Sequence, residues 1–138
     1  MSNKPIKSAE ELEVYQLAYA VAMEIFEETK KFSRDEKYSL TDQIRRSSRA
    51  VCANLREAWA KRRYPAHFVS KLTDADAENG ETETWLCFAK DCGQLNPVKY
   101  SELLERVRQV GRMLGGMLKN PKIFCPLETD SRPLTSDP

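Results

Sequence analysis

Residues 65–93 read PAHFVSKLTDADAENGETETWLCFAKDCG, and this stretch decides the fold class. A residue that can enter a core recurs at every third or fourth position, which is the period of an α-helix and not of a strand. Proline suits the first turn of a helix, and Gly93 suits a left-handed C-terminal cap. The sequence therefore predicts a helix over residues 65–92. Its predicted core line is Phe68, Leu72, Ala75, Asn79, Thr82, Leu86 and Ala89.

Three further segments of the chain show the helical period. They are predicted at residues 8–31, 39–63 and 97–119. The first should begin with a capping box between Ser8 and Glu11, in which each side chain bonds the other residue's backbone amide. Its apolar positions cover a wider arc than one bundle seam needs, with Leu12, Leu17 and Tyr19 outside the main stripe. Part of that arc is expected to face another subunit.

Short connections join the four predicted helices, and short connections favour antiparallel neighbours. One of them is a corner at Tyr64-Pro65. We therefore predict an all-α fold, an antiparallel up-down-up-down four-helix bundle over residues 1–120. A short, mostly unstructured proline-rich tail follows over residues 121–138, with Ile123 and Phe124 docking its first turn.

The composition excludes several classes of protein. The chain has 138 residues, is 41% hydrophobic and has a net charge of +1, so it can form a core but carries no overall field to attract nucleic acid or membrane. Its four cysteines form no Cys-x-x-Cys pair and it has one histidine, which excludes zinc and di-iron sites of the usual spacing. Neither a signal-peptide core nor a membrane span is present. We expect a cytoplasmic protein without cofactor, metal or catalytic residues, and not an enzyme.

Charge alternates from helix to helix. Residues 8–29 carry six acids and no base, residues 45–63 seven bases and one acid, residues 66–92 two bases and six acids, and residues 99–119 five bases and two acids. In a square bundle every helix then lies beside two helices of opposite sign. This alternation favours the predicted pairing over its alternatives.

The basic second helix carries the candidate binding residues. At 100° per residue, Arg45, Arg49, Arg56 and Arg63 fall within about 40° of one another, about a third of a turn from the core line. Arginine grips phosphate oxygens two at a time, so such a stripe can follow a nucleic-acid backbone. The predicted nucleic-acid contacts are Arg45, Arg46, Arg49, Arg56, Lys61, Arg62 and Arg63.

The alternative is that these arginines pair with acidic residues within or between subunits, and that the protein is an interaction scaffold. Antiparallel packing about the corner would set Arg46 near Glu83, and Arg49 near Glu78 or Glu81. Both hypotheses stay open at this point.

Two aromatic residues on the third helix predict self-association. Trp85 and Phe88 fall more than a quarter-turn from the core line through Leu72, Leu86 and Ala89. Large apolar side chains outside a core usually mark an interface. We therefore expect a homo-oligomer with Trp85 and Phe88 at the subunit interface.

Several of these residues also form a recognisable pattern, which covers most of the chain. It reads Tyr38-x-Leu40, Gln43-Ile44-Arg45-Arg46, Asn54-Leu55-x-Glu57-Ala58, Phe68 and Glu78-x-x-Glu81-Thr82-x-x-Trp85-Leu86. This pattern resembles the four-helix-bundle family of proteins encoded in 23S ribosomal RNA intervening sequences.

The resemblance implies a ring-shaped homopentamer. Related accessory proteins of diversity-generating retroelements bind nucleic acid and a reverse transcriptase. The resemblance therefore also implies RNA, with ribosomal RNA as one candidate, or DNA or a protein partner. Where the family usually has Ile-Ala-Glu-Gly, this chain has Leu55-Arg56-Glu57-Ala58, so its second helix should continue through this segment.

Overall fold

The computed structural model describes residues 5–126 and contains four α-helices and no strand in that part of the chain. The helices are α1 (Glu13–Thr29), α2 (Asp42–Ala60), α3 (Pro65–Asp91) and α4 (Pro97–Lys119). Helix α2 packs against α1 and α3, and α4 packs against the same two helices. The predicted all-α four-helix bundle is confirmed. Most of the predicted tail, residues 127–138, lies outside the described residues.

Both ends of α3 have the local structure that the sequence predicts. Pro65 occupies the first turn. At the other end Gly93 has φ +73°, the left-handed conformation that glycine adopts without steric cost. The amide of Gln94 donates to the carbonyl of Ala89 over 2.8 Å, and the amide of Gly93 donates to the carbonyl of Lys90 over 3.1 Å. This pair of bonds is a Schellman motif, and it ends the helix.

Helix α1 begins at Glu13, five residues later than predicted, and the capping box at Ser8 is wrong. A 3-10 turn over Ala9–Glu11 and an extended Leu12 precede the helix, and the Ser8 side chain makes no capping bond. A continuous helix would carry Leu12 to the outer face beside Tyr19. The break instead buries Leu12. Burial of a leucine stabilises by about 1.5–3 kcal/mol, more than the roughly 1 kcal/mol of an N-cap.

Helix α2 begins and ends three residues inside its predicted bounds. A π-helical turn over Lys37–Thr41 leads into it, and the last regular residue is Ala60. The helix is unbroken through Leu55 and Ala58, as the replacement of the family's glycine predicts. Because the helix is unbroken, the angle between basic residues on different faces of α2 follows from their spacing in the sequence.

The core consists of two apolar clusters with a buried polar layer between them. One cluster is centred on Leu55, Phe68, Leu72 and Leu114, and the other on Ile25, Ile44, Leu86 and Leu103. In the layer the hydroxyls of Ser47 and Thr82 lie 2.8 Å apart, and Asn79 Nδ2 donates to the Val107 carbonyl over 2.9 Å. These bonds join α2 to α3 and α3 to α4. Sliding either helix by one turn would break them, so the layer specifies the register.

The chain beyond α4 closes the end of the first cluster. The ring of Phe124 lies 6.1 Å from the ring of Phe68, and Cys125 is buried. Ile123 is exposed, so of the two residues predicted to dock, Phe124 contacts the bundle and Ile123 does not.

Candidate interaction surfaces on either side of the second helix

Helix α2 contributes to two surfaces of different chemistry. The α2–α3 flank consists of Arg46, Glu57, Lys71, Glu78 and Glu81. The α1–α2 flank consists of Tyr15, Tyr19, Met23 and Phe26 on α1 with Arg45, Arg49 and Arg56 on α2. At 100° per residue Arg46 points about a quarter-turn away from Arg45, which sends the two neighbours toward different helices.

Charges on the α2–α3 flank are paired within the chain. Arg46 Nη1 lies 3.1 Å from Glu78 Oε2, and Arg46 also bonds Glu81. Lys71 Nζ lies 2.7 Å from Glu57 Oε2. The hydrogen bonds that Arg46 donates to Glu78 and Glu81 raise the pKa of Arg46, and the bond that Lys71 donates to Glu57 lowers the pKa of Glu57. This flank therefore has little unbalanced charge to offer a partner.

The predicted interface pair lies beside this flank and is only partly open. Trp85 packs against the second cluster and its Nε1 donates to Glu81 Oε1 over 3.2 Å. Burial would raise the pKa of Glu81, but the hydrogen bonds from Trp85 and Arg46 outweigh it, and the pKa is lowered. The ring of Phe88 lies 5.9 Å from that of Trp85 and is 53% exposed. Phe88 is thus the open member of the pair.

Ion pairs between α2 and α3 exist, as predicted, but they join other residues than the predicted ones. Arg46 contacts Glu78 and Glu81, and Glu83 instead accepts from Arg108 Nε of α4 over 3.1 Å. Arg49 contacts neither of its predicted partners, because it lies on the side of α2 that faces α1.

Cations on the α1–α2 flank lie over an aromatic ring. The Cζ atoms of Arg45 and Arg49 are 4.8 Å and 5.6 Å from the centre of the Phe26 ring. Arg45 is fixed further, because its Nε donates to Thr29 Oγ1 over 2.7 Å. Arg49 is exposed and forms no ion pair with any residue from 5 to 126. Among residues 5–126 no carboxylate pairs with Arg45 or Arg49, and Arg49 is the exposed one of the two.

An apolar stripe continues from Phe26 along α1. The rings of Tyr15 and Tyr19 lie 6.2 Å apart and are stacked. Tyr19 and Met23 are 54% and 47% exposed. Glu24 lies on the other side of α1, where it pairs with residues of α4. The α1–α2 flank is therefore apolar along α1 and basic along α2.

The structure does not bring the seven predicted nucleic-acid contacts onto one surface. Arg56 pairs with Glu10, just before α1. Arg62 lies with Cζ 3.6 Å from the Trp59 ring and donates to the Phe124 carbonyl over 3.5 Å, so it ties the end of α2 to the chain beyond α4. Lys61 is exposed and Arg63 is half-buried at that same end. The seven predicted contacts are therefore divided between two flanks and one end of the bundle.

The described residues do not assemble a metal or membrane site. From residue 5 to 126 no cluster of three His, Cys, Asp or Glu side chains could hold a metal ion. None of the helices in that range combines the length and apolar character of a bilayer-crossing segment. Burial raises the pKa of the Cys52 thiol to about 11, so this cysteine is protonated and acts as a small apolar side chain.

Sequence reasoning missed the role of Phe26 and of α4. By its spacing Phe26 belongs to the apolar arc of α1, whereas in the structure it is half-buried and supports two arginines. Arg106 and Arg108 of α4 pair with Glu24 and Glu83. The alternation of helix charges indicated such pairs, but it carried no information on which residues meet.

Comparison with known proteins agrees with this architecture. The chain is similar to a protein of unknown function from the S23 ribosomal protein family of Bacteroides thetaiotaomicron. The two are 26% identical, the alignment covers 78% of this chain and 96% of that chain, and the TM-score is 0.71. No curated protein matches the chain. The model of the 23S rRNA-intervening sequence protein family matches residues 10–116, most of the described bundle, and the chain belongs to this family.

Proposed function

We propose that the protein is a non-enzymatic, cytoplasmic scaffold that assembles with copies of itself and presents helix surfaces to a partner. The observation that carries the proposal is the internal use of the arginines. Arg45, Arg46, Arg56 and Arg62 all bond groups of their own chain. These arginines therefore act first in stabilising the bundle. They do not form a continuous row of free cations that could bind phosphates.

Open apolar surface supports the same proposal. Phe88 on α3 and Tyr19 and Met23 on α1 are large side chains with about half of their area exposed. Aromatic residues, methionine and arginine are the types enriched at protein interfaces. Each helix next to α2 therefore offers a surface that a protein could cover.

The self-assembly part is tested by sedimentation velocity of the full chain at micromolar concentration. We expect an oligomer, with the pentamer implied by the family resemblance as the reference stoichiometry, and Phe88→Glu should dissociate it. Phe88 is a better target than Trp85, because Trp85→Arg would also remove the bond to Glu81 and disturb the core. Val98→Glu, at a position 70% exposed at the start of α4, is the matched control. A wild-type monomer would refute self-assembly.

A second candidate function is nucleic-acid binding, with ribosomal RNA as one candidate ligand. Two observations favour it. Arg49 and Lys61 form no ion pair within residues 5–126. The exposed pair Arg56–Glu10 is of a kind that contributes only about 0–1 kcal/mol, so a phosphate could replace the carboxylate.

The salt dependence of binding tests this candidate. Affinity for a duplex should fall with a log–log slope of about −0.9 per neutralised phosphate, and for a single strand about −0.7. Arg49→Gln with Arg56→Gln should flatten that slope by about one to two units and leave the helical content unchanged. Arg112→Gln on α4, whose partner is Glu105, is the control. Absence of binding at low salt removes the candidate, and dissociation of the double variant into monomers favours the scaffold.

A further inference from the structure

We propose that the α1–α2 flank is a docking surface for an acidic amphipathic helix of a partner protein. The inference rests on the proposed scaffold function and names the surface and the partner's chemistry. The juxtaposition that carries it is an exposed apolar stripe on α1 directly beside Arg49 of α2, which pairs with no carboxylate among the described residues.

The apolar stripe has the length and spacing of a helix-binding surface. Tyr15, Tyr19, Met23 and Phe26 are four, four and three residues apart, so they lie on one side of α1. Eleven residues of helix span about 16 Å, or about three turns. A partner helix that lays apolar residues at a spacing of three and four into a groove needs a surface of this length.

The charges beside the stripe specify an acidic partner. Arg49 is exposed, and from residue 5 to 126 its guanidinium has an aromatic ring but no carboxylate as its neighbour. Lys30 also lies over Phe26, with Nζ 4.8 Å from the ring centre, but it pairs with Glu27 over 3.2 Å, so its charge is already compensated. A partner carboxylate at Arg49 would form a charge-assisted hydrogen bond, which is roughly twice as strong as a neutral one.

The same features argue against the other possible occupants. Nucleic-acid affinity grows with the number of phosphates neutralised, and on this flank Arg45 is half-buried and bonded to Thr29 and to the Phe26 carbonyl, so few exposed cations remain for phosphates. A two-fold contact between copies of this flank would bring the two Arg49 guanidiniums together, which is unfavourable. A ring contact would instead place a different surface of a second copy on this flank, and loss of the oligomer in the Tyr19→Ser with Met23→Ser variant would reveal it.

The probe is a fluorescein-labelled amphipathic peptide of about 16 residues, long enough for the three turns of the stripe. It carries leucine at i, i+4, i+7 and i+11 and glutamate along both edges of that face. A matched peptide carries lysine in place of every glutamate. Anisotropy titration with the full chain should show binding of the acidic peptide that is at least about tenfold tighter than binding of the basic one.

Variants of the protein assign the binding to the flank. Tyr19→Ser with Met23→Ser should weaken binding of the acidic peptide by about tenfold or more, because exposed aromatic anchors dominate such interfaces. Arg49→Gln should weaken it by about three- to tenfold and reduce its salt dependence. Val98→Ser and Arg112→Gln, both exposed and on α4, are the matched controls and should bind as wild type. Circular dichroism checks that every variant keeps its helices.

Each contrary result overturns the inference. It fails if neither peptide binds, if the basic peptide binds as well as the acidic one, or if Tyr19→Ser with Met23→Ser binds unchanged. It also fails if the flank binds a labelled oligouridylate in place of the peptide, or if the same double variant lowers the sedimentation coefficient. An oligomer without peptide binding refutes only the docking surface, and a monomer that binds the peptide refutes only self-assembly.

Discussion

The two flanks of α2 carry the same residue type in opposite settings. On the α2–α3 flank Arg46 meets two carboxylates, whereas on the α1–α2 flank Arg45 and Arg49 meet the face of Phe26. On the α2–α3 flank, ion pairs within the chain compensate the charges. Contact with an aromatic ring leaves the charge of the second flank uncompensated, and therefore available to a partner. Position on the helix, and not the number of arginines, decides which role each one has.

The largest expected effect comes from a substitution in the core on which both flanks rest. Leu55 of α2 is 1% exposed in the first cluster, so Leu55→Ala should lower the free energy of unfolding by about 2–5 kcal/mol in urea titration. Val98→Ala at the exposed start of α4 should change it by less than about 0.5 kcal/mol. A cost near zero for Leu55→Ala would mean that the core line of α2, and both flanks with it, are wrongly placed.

Removal of one buried hydroxyl tests how the α2–α3 flank is anchored beneath its surface charges. Thr82→Val removes the bond to Ser47 and leaves that hydroxyl only a long contact, 3.4 Å, with the Ile44 carbonyl. An unsatisfied buried group should cost about 1–3 kcal/mol. Thr84→Val, at an exposed position on the same helix, should cost much less in the same titration. Equal costs would show that the polar layer does not hold α2 to α3.

Neighbouring arginines compare the two flanks directly. Arg45→Gln loses bonds to Thr29 and to the Phe26 carbonyl as well as the ring contact, and should cost about 1–2 kcal/mol. Arg46→Gln loses pairs that are about half exposed to solvent and should cost less than about 1 kcal/mol. Unfolding in urea at neutral pH measures both. The reverse order would contradict the assignment of Arg45 as the structural member.

The smallest expected effect is a difference between the two flanks in how the cost of an arginine substitution depends on pH. Glu57 and Glu81 have pKa values below the ordinary 4.5, so their stabilising pairs are present above that pH and are lost as the pH falls through the lowered values. As the pH falls through the lowered pKa of Glu81, the cost of Arg46→Gln should therefore shrink. That of Arg45→Gln should not, because its partners do not titrate. Parallel pH dependence of the two variants would contradict this distinction.

The sequence predicts the parts of the fold that depend on local chemistry. Pro65 and Gly93 delimit α3 because each has its own backbone preference, and the core line of α3 follows from spacing alone. The start of α1 could not be predicted in the same way. It depends on whether Leu12 finds room in the core, which is a property of the whole bundle.

The candidate site was less predictable for a similar reason. Sequence spacing places Arg45, Arg49 and Arg56 on one stripe, and the structure keeps Arg45 and Arg49 together over Phe26. Sequence spacing cannot specify that Glu10 pairs with Arg56 or that Glu83 pairs with Arg108, because these contacts depend on the rotation of neighbouring helices. The kind of interaction was therefore predictable, and the partners were not.

The segment after α4 has a practical consequence for handling the protein. The family match stops at residue 116, yet Met117 and Cys125 are buried and Phe124 covers Phe68. A fragment trimmed to the matched range would uncover the apolar end of the bundle and remove the groups that Arg62 holds there. Such a fragment should bind hydrophobic dyes, precipitate on concentration and be cut readily by proteases.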